Sequence, residues 1–162
     1  MILFNAKTRK KFLTGFTLVE MLFVLAIFGI IVSIVLYNFS GQRSAQALNN
    51  SEDEVVALLN EARSRTLSGE GRIQYGVHFE SGKAVLFSSA YYSSGASDNR
   101  PVVFDSSVAM SSLSLFPTGT EIVFQKLTGE AVPFGTITLQ NISSTSSQKI
   151  ITVTKPGFVS GN

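Results

Sequence analysis

The pattern of apolar and polar positions changes character three times along the chain. From Phe16 to Phe39 nearly every residue is apolar, with Thr17, Glu20, Ser33 and Asn38 the polar exceptions and Gly29 the one strong helix-weakener. As a helix at 1.5 Å per residue this run is roughly 36 Å long, enough to cross a hydrocarbon core of about 30 Å. From Ala45 the apolar residues recur with helical spacing: Ala45, Leu48, Val55, Leu59 and Ala62 fall near one face, flanked by Val56 and Leu58. Arg43, Gln46, Glu52, Asp53, Glu61 and Arg65 take the other side, so one helix from Phe16 to about Leu67 is expected, apolar all round and then amphipathic. Ser40-Gly41-Gln42 is too short for a linker. Leu67-Ser68-Gly69-Glu70-Gly71 stops the helix.

Beyond Arg72 the period becomes two. Ile73, Tyr75, Val77 and Phe79 alternate with Gln74, Gly76 and His78, Glu80-Ser81-Gly82-Lys83 reads as a hairpin turn, and Ala84–Phe87 as the returning strand. Further strands are expected at Val102–Phe104, Ser112–Phe116, Glu121–Phe124, Gly135–Leu139 and Ile150–Thr154. Between them lie Pro117-Thr118-Gly119, Leu127-Thr128-Gly129, Asn141 to Ser147 and Pro156-Gly157. Short strands divided by such turns predict an antiparallel sheet or sandwich. The fold class is therefore α+β: a long N-terminal helix, its first half transmembrane, packed on an antiparallel β head. The segments are 1–15 leader, 16–39 transmembrane helix, 40–68 amphipathic continuation and 69–162 β-rich head.

Charge sharpens the N-terminal picture. The chain's 162 residues carry a formal net charge of +2. Lys7, Arg9, Lys10 and Lys11 precede the apolar run with no acid among them, leaving the remainder slightly acidic. Such a basic flank stays cytoplasmic, which directs the head outward. There is no cysteine, so disulfides, zinc–thiolate sites and thiol nucleophiles are excluded. A cleaved secretory signal fits poorly, because the apolar core is too long and Asn38-Phe39-Ser40-Gly41-Gln42 is a poor cleavage site. An ordinary signal anchor explains the length and the basic flank but leaves Glu20 unexplained. A carboxylate inside a membrane helix costs about 2.5–3.5 kcal/mol on insertion scales and marks a function by default.

Gly15-Phe16-Thr17-Leu18-Val19-Glu20, with the basic residues before it and the apolar run after it, resembles the processing motif of type IV prepilins and pseudopilins. The resemblance implies cleavage after Gly15 by a prepilin peptidase, N-methylation of Phe16, and assembly into a filament in which Glu20 meets an N-terminal amine. Cleavage creates an α-ammonium on Phe16, and residues 16 and 20 would lie i,i+4 on one helix face, so the buried acid gains a cation. Implied partners are other pilins or pseudopilins, the peptidase, an inner-membrane assembly platform and membrane lipid. The implied location is the bacterial inner membrane, single-pass, with the head periplasmic or extracellular. Ala62-Arg63-Ser64, the first hairpin, Phe134–Leu139, Ile150–Val153 and Gly157-Phe158-Val159 resemble the H-type minor pseudopilins and related minor pilins.

The head offers no catalytic constellation, no metal set and no cofactor motif. His78 is the single histidine and reads as a solvent-facing strand residue without an arranged partner set. Glu52-Asp53-Glu54 reads as a solvated helix face with Asn50 or Ser51 as a local cap, and Asp98 with Asp105 is too sparse for calcium. Asn141-Ile142-Ser143 fits a glycosylation sequon without the context for one. Ser88–Arg100, with Tyr91-Tyr92 inside, reads as a flexible loop. A filament-tip pilin binding DNA in natural transformation is one alternative. In relatives that bind DNA, the resemblance implies an arginine-rich C-terminal segment, and Lys155–Asn162 holds one lysine and no arginine, which argues against nucleic acid. A simple membrane-anchored β-domain is the other alternative.

Overall fold

The computed structural model describes residues 15–69, 71 and 73–162. The basic leader, including Lys7, Arg9, Lys10 and Lys11, lies outside the described residues. The chain divides into two compact units, Met1–Phe39 and Ser40–Asn162. Helix α1, Leu18–Ser68, contributes its N-terminal part to the first and its remainder to the second.

In the first unit the helix starts two residues later than the apolar run. The Thr17 hydroxyl accepts a hydrogen bond from the Glu20 N–H at 3.2 Å, and the Met21 N–H donates to the Thr17 carbonyl at 3.2 Å. Thr17 is thus an N-cap, satisfying a donor that the first turn would otherwise leave without a partner. The spacing Thr17-Leu18-Val19-Glu20 is that of a capping box. Phe16 consequently precedes the helix, and the expected i,i+4 placement of residues 16 and 20 on one face does not occur within the chain. Leu18–Leu36 is apolar and long enough to cross a membrane, with a mean hydropathy of 2.8. Its large side chains are exposed, and Ser33 returns its hydroxyl to the Gly29 carbonyl at 2.8 Å.

The helical part of the second unit buries Leu48, Ser51, Glu52, Val55, Leu58, Leu59, Ala62 and Thr66, a stripe at helical spacing. Ala45, expected on that stripe, is exposed. Ser51 does not cap anything; the helix runs through it to Gly69, whose φ of +69° ends it in the left-handed conformation that glycine adopts without steric cost. The Thr66 hydroxyl donates to the Ala62 carbonyl at 2.8 Å and accepts the Tyr75 N–H at 3.0 Å, tying the helix end to the chain entering the first strand.

Nine strands follow: β1 Gly76–Glu80, β2 Lys83–Phe87, β3 Arg100–Val103, β4 Val108–Phe116, β5 Glu121–Phe124, β6 Ala131–Val132, β7 Phe134–Asn141, β8 Ser144–Val153 and β9 Val159–Gly161. They form two antiparallel sheets, ordered β3-β2-β1-β5-β6 and β4-β7-β8-β9. Both sheets and the helical stripe share one core, to which Val77, Phe79, Leu86, Ile122, Phe124, Ile137, Leu139, Ile151 and Val153 contribute. The α+β architecture of helix on antiparallel sheets is therefore present. The short strands β6 and β9 carry too few residues to show alternation. The first half of β8, Ser144–Gln148, is exposed and polar, so only its pairing with β7 makes it a strand. The same pairing shortens the turn expected over Asn141 to Ser147.

Candidate functional site

Two places concentrate side chains whose arrangement packing alone does not explain. The first is the start of α1. Gly15 and Phe16 precede the Thr17 cap, and Glu20 occupies the first helical turn, where a carboxylate is favoured by the unpaired N–H groups and the helix dipole. Gly15, Phe16 and Glu20 are all exposed, with Phe16 at 74 % of its full accessibility. Gly15 and Phe16 lie outside regular secondary structure, next to the capped helix. No added Cβ at Gly15 would meet another atom within 4 Å, so packing does not require that glycine.

The second place is the outer face of the larger sheet, on the side away from the core. Alternation along β1 sends Val77 and Phe79 inward and Gly76 and His78 outward. The register sets His78 opposite Glu121 and Gly76 opposite Val123. Tyr92, from the segment after β2, lies flat on His78 with ring centroids 3.9 Å apart and planes 7° apart, and meets Phe87 edge-on at 5.7 Å. Its N–H donates to Glu121 Oε2 at 3.1 Å, and His78 Nδ1 faces that same oxygen at 3.8 Å. A solvent-facing His78 was expected; its side chain is instead only 16 % exposed, because Tyr92 covers it. The Tyr91-Tyr92 loop is anchored on the sheet by that ring. Gly76 is required here, since a Cβ would sit 2.6 Å from Phe87 Cζ and 2.8 Å from the Ile122 carbonyl oxygen.

Electrostatics elsewhere in the head are local. Glu52 was expected on a solvated face. It is buried, pairs with Lys149 Nζ at 3.1 Å, and a side chain at Gly161 would collide with its carboxylate. The helix stripe turns Glu52 toward β8 and β9, leaving Asp53 and Glu54 in solvent. Glu61 joins Arg65 at 2.8 Å and also Arg100. Asp98 accepts from the Ser88 hydroxyl. The hydroxyl and then the backbone N–H of Ser107 hold the Asp105 carboxyl below its ordinary pKa of 3.8, against a small opposing effect of burial. Among the described residues no group of three or more His, Cys, Asp and Glu side chains is placed to hold a metal ion. Asn141 is 1 % exposed; it donates to the Ser44 carbonyl and accepts the Ser143 N–H, so its amide is committed to the fold.

Residues 14–36 match the family model of the prokaryotic N-terminal methylation motif. The fold is similar to that in the crystal structure of the type IV minor pilin FimU of Pseudomonas aeruginosa (strain PAO1). The TM-score is 0.52 at 14% sequence identity, over 71% of this chain and 92% of that one. The chain carries this methylation motif and has a type IV minor pilin-like fold. No curated protein sequence matches it. Its motif spans Gly15, Phe16 and Glu20, which the sequence alone singles out. The Tyr92–His78–Glu121 cluster of the pilin-like head was not legible in the same way. The signal available was the outward parity of residues 76, 78, 121 and 123, which says which side chains share a face but not that a distant loop covers them.

Proposed function

We propose that the chain is a minor pilin or pseudopilin subunit of a type IV pilus or a type II secretion filament. The observation that carries this is the methylation motif over residues 14–36, placed on a capped helix whose next nineteen residues, Leu18–Leu36, can span a membrane. In this reading residues 1–15 are a cytoplasmic leader, removed after Gly15, and Phe16 is N-methylated. Residues 16–39 anchor the chain in the inner membrane, residues 40–68 carry the helix into the head, and residues 69–162 form the head outside. The blocks that resemble those of H-type minor pseudopilins favour a minor subunit over a bulk shaft subunit. Partners are other pilins, a prepilin peptidase, an assembly platform and lipid.

The chemistry of assembly follows from the cap. Cleavage turns Phe16 into an α-ammonium immediately before Thr17, while Glu20 stays exposed in the first turn. Because Phe16 is not on the helix, the amine best placed to neutralise Glu20 is that of a neighbouring subunit. The pair gains from leaving water only when both charges arrive together, so a misaligned neighbour leaves an uncompensated acid in lipid. Apolar contact provides cohesion and the charge pair provides register. Lys83, Arg65, Arg100 and Lys149 are each paired with a carboxylate within the head, which weakens any phosphate-binding groove.

Mass analysis of the N-terminus tests processing. A mature chain starting at Phe16 and bearing a methyl group supports it, and an intact leader refutes it. Glu20→Ala should leave the head folded and reduce incorporation into filaments; normal incorporation of that variant would remove the register role.

A further inference from the structure

The outer face of the larger sheet is only half covered. Tyr92 closes it over β1 and β2, whereas over β5 it opens into a groove of about 400 Å³. Its floor is the outward row of β5 and its extension, Glu121, Val123 and Gln125. Gln74 lies beside Gln125 and donates from Nε2 to Oε1 at 2.9 Å. Tyr91, 78 % exposed, lines the groove with Ala90. Pro117 and Pro133 also line it. Of the side chains lining this groove, Glu121 is the one that carries a charge. Its Oε2 is held in place by the Tyr92 N–H, which fixes the carboxylate at the end of the groove where the covered and open halves meet.

We propose that this groove binds an arginine side chain presented by an extended segment of a partner protein. The charge in the groove is a single carboxylate with no cation lining it, so the complementary occupant is cationic. The amide oxygens of Gln74 and Gln125 extend the acceptor row along the floor, which suits the planar fork of a guanidinium better than the point charge of an ammonium. The exposed Tyr91 ring offers a face for stacking that cation, and the two prolines give the flanking residues of the segment an apolar wall. His78, whose Nδ1 faces Glu121 Oε2 at 3.8 Å, is not part of the groove lining and does not compete for the ligand. The inference does not depend on filament assembly, and its test leaves Glu20 and the leader untouched.

The experiment is nuclear magnetic resonance titration of the full chain in detergent micelles with two probe peptides, acetyl-Pro-Arg-Pro-amide and acetyl-Pro-Gln-Pro-amide. The arginine peptide should shift the amide signals of Tyr91, Glu121, Val123 and Gln125 saturably, and the glutamine peptide should bind at least about tenfold more weakly. Glu121→Gln should lower affinity for the arginine peptide by about tenfold or more. Tyr91→Ala, at an exposed position, should lower it about threefold while leaving the spectrum of the fold intact. Glu80→Gln, on the same sheet but outside the groove, should change nothing. Equal binding of the two peptides, shifts mapping away from the groove, or undiminished binding by a folded Glu121→Gln variant would each overturn the proposal.

Discussion

Gly76→Ala probes the link between the core sheet and the loop laid on its outer face. The added methyl would sit 2.6 Å from Phe87 Cζ and 2.8 Å from the Ile122 carbonyl oxygen, both well inside van der Waals contact. The carbonyl belongs to β5, paired to β1 at this register, and cannot move without opening the ladder. The Phe87 ring is 2 % exposed and held edge-on by Tyr92, so it yields only by lifting the loop. Overpacking of this kind costs about 1–3 kcal/mol. For a head of this size that lowers the melting temperature by roughly 3–15 °C. Gly82→Ala is the internal control. It lies in the β1–β2 turn with nothing within 4 Å of an added Cβ, and should fall within about 0.5 kcal/mol of the parent. Thermal unfolding followed by near-ultraviolet circular dichroism measures both, and the Tyr92–His78 stack supplies an aromatic signal at the loop. A Gly76→Ala variant as stable as Gly82→Ala would refute the claim that the Phe87–Tyr92 packing fixes that glycine.

Two further outcomes test the electrostatics. Lys149→Ala should destabilise by about 1–3 kcal/mol, because it leaves the buried Glu52 carboxylate unpaired. Lys83→Ala, whose bridge to Glu80 at 3.2 Å is open to solvent, should cost at most about 0.5 kcal/mol. Chemical denaturation of the two variants side by side decides this, and equal losses would contradict it. Ser107→Ala removes the stronger of the two hydrogen bonds to the Asp105 carboxylate, so its titration midpoint should rise toward the ordinary value of 3.8, as read by carbon-detected magnetic resonance. Because the folded pKa is lowered, the stability this carboxylate contributes is present above its ordinary pKa. It is lost as pH falls through the depressed folded value. In Ser107→Ala that acid-range contribution should shrink.

What the sequence determined by itself is whatever is local or periodic. An uninterrupted apolar run of membrane length, basic residues before it, a glycine at the edge and a carboxylate four residues beyond Phe16 are properties of neighbouring residues. They mark the N-terminal segment as clearly in the linear chain as in the folded one. The two-residue alternation from Ile73 to Phe79, with the turn at Glu80–Lys83 and the apolar run Ala84–Phe87 after it, likewise marks the first hairpin, because inward and outward parity is built into an extended backbone. Even so, the start of the helix moved from Phe16 to Leu18, since a threonine hydroxyl able to cap the first turn competes with continuing the helix backwards. Tertiary structure alone decided the rest. Glu52 belongs to an acidic triplet that reads as solvated, and only the approach of β8 and β9 brings Lys149 to it and closes it off. His78 reads as an exposed strand residue until Tyr92, fourteen positions on in sequence, folds back over it. Ser144–Gln148 has no apolar pattern and becomes a strand only because β7 lies beside it. For Glu52 and His78 the deciding partner lies outside the segment's own periodicity, and for Ser144–Gln148 it is the backbone of the neighbouring strand, so none of these contacts leaves a trace in the apolar pattern.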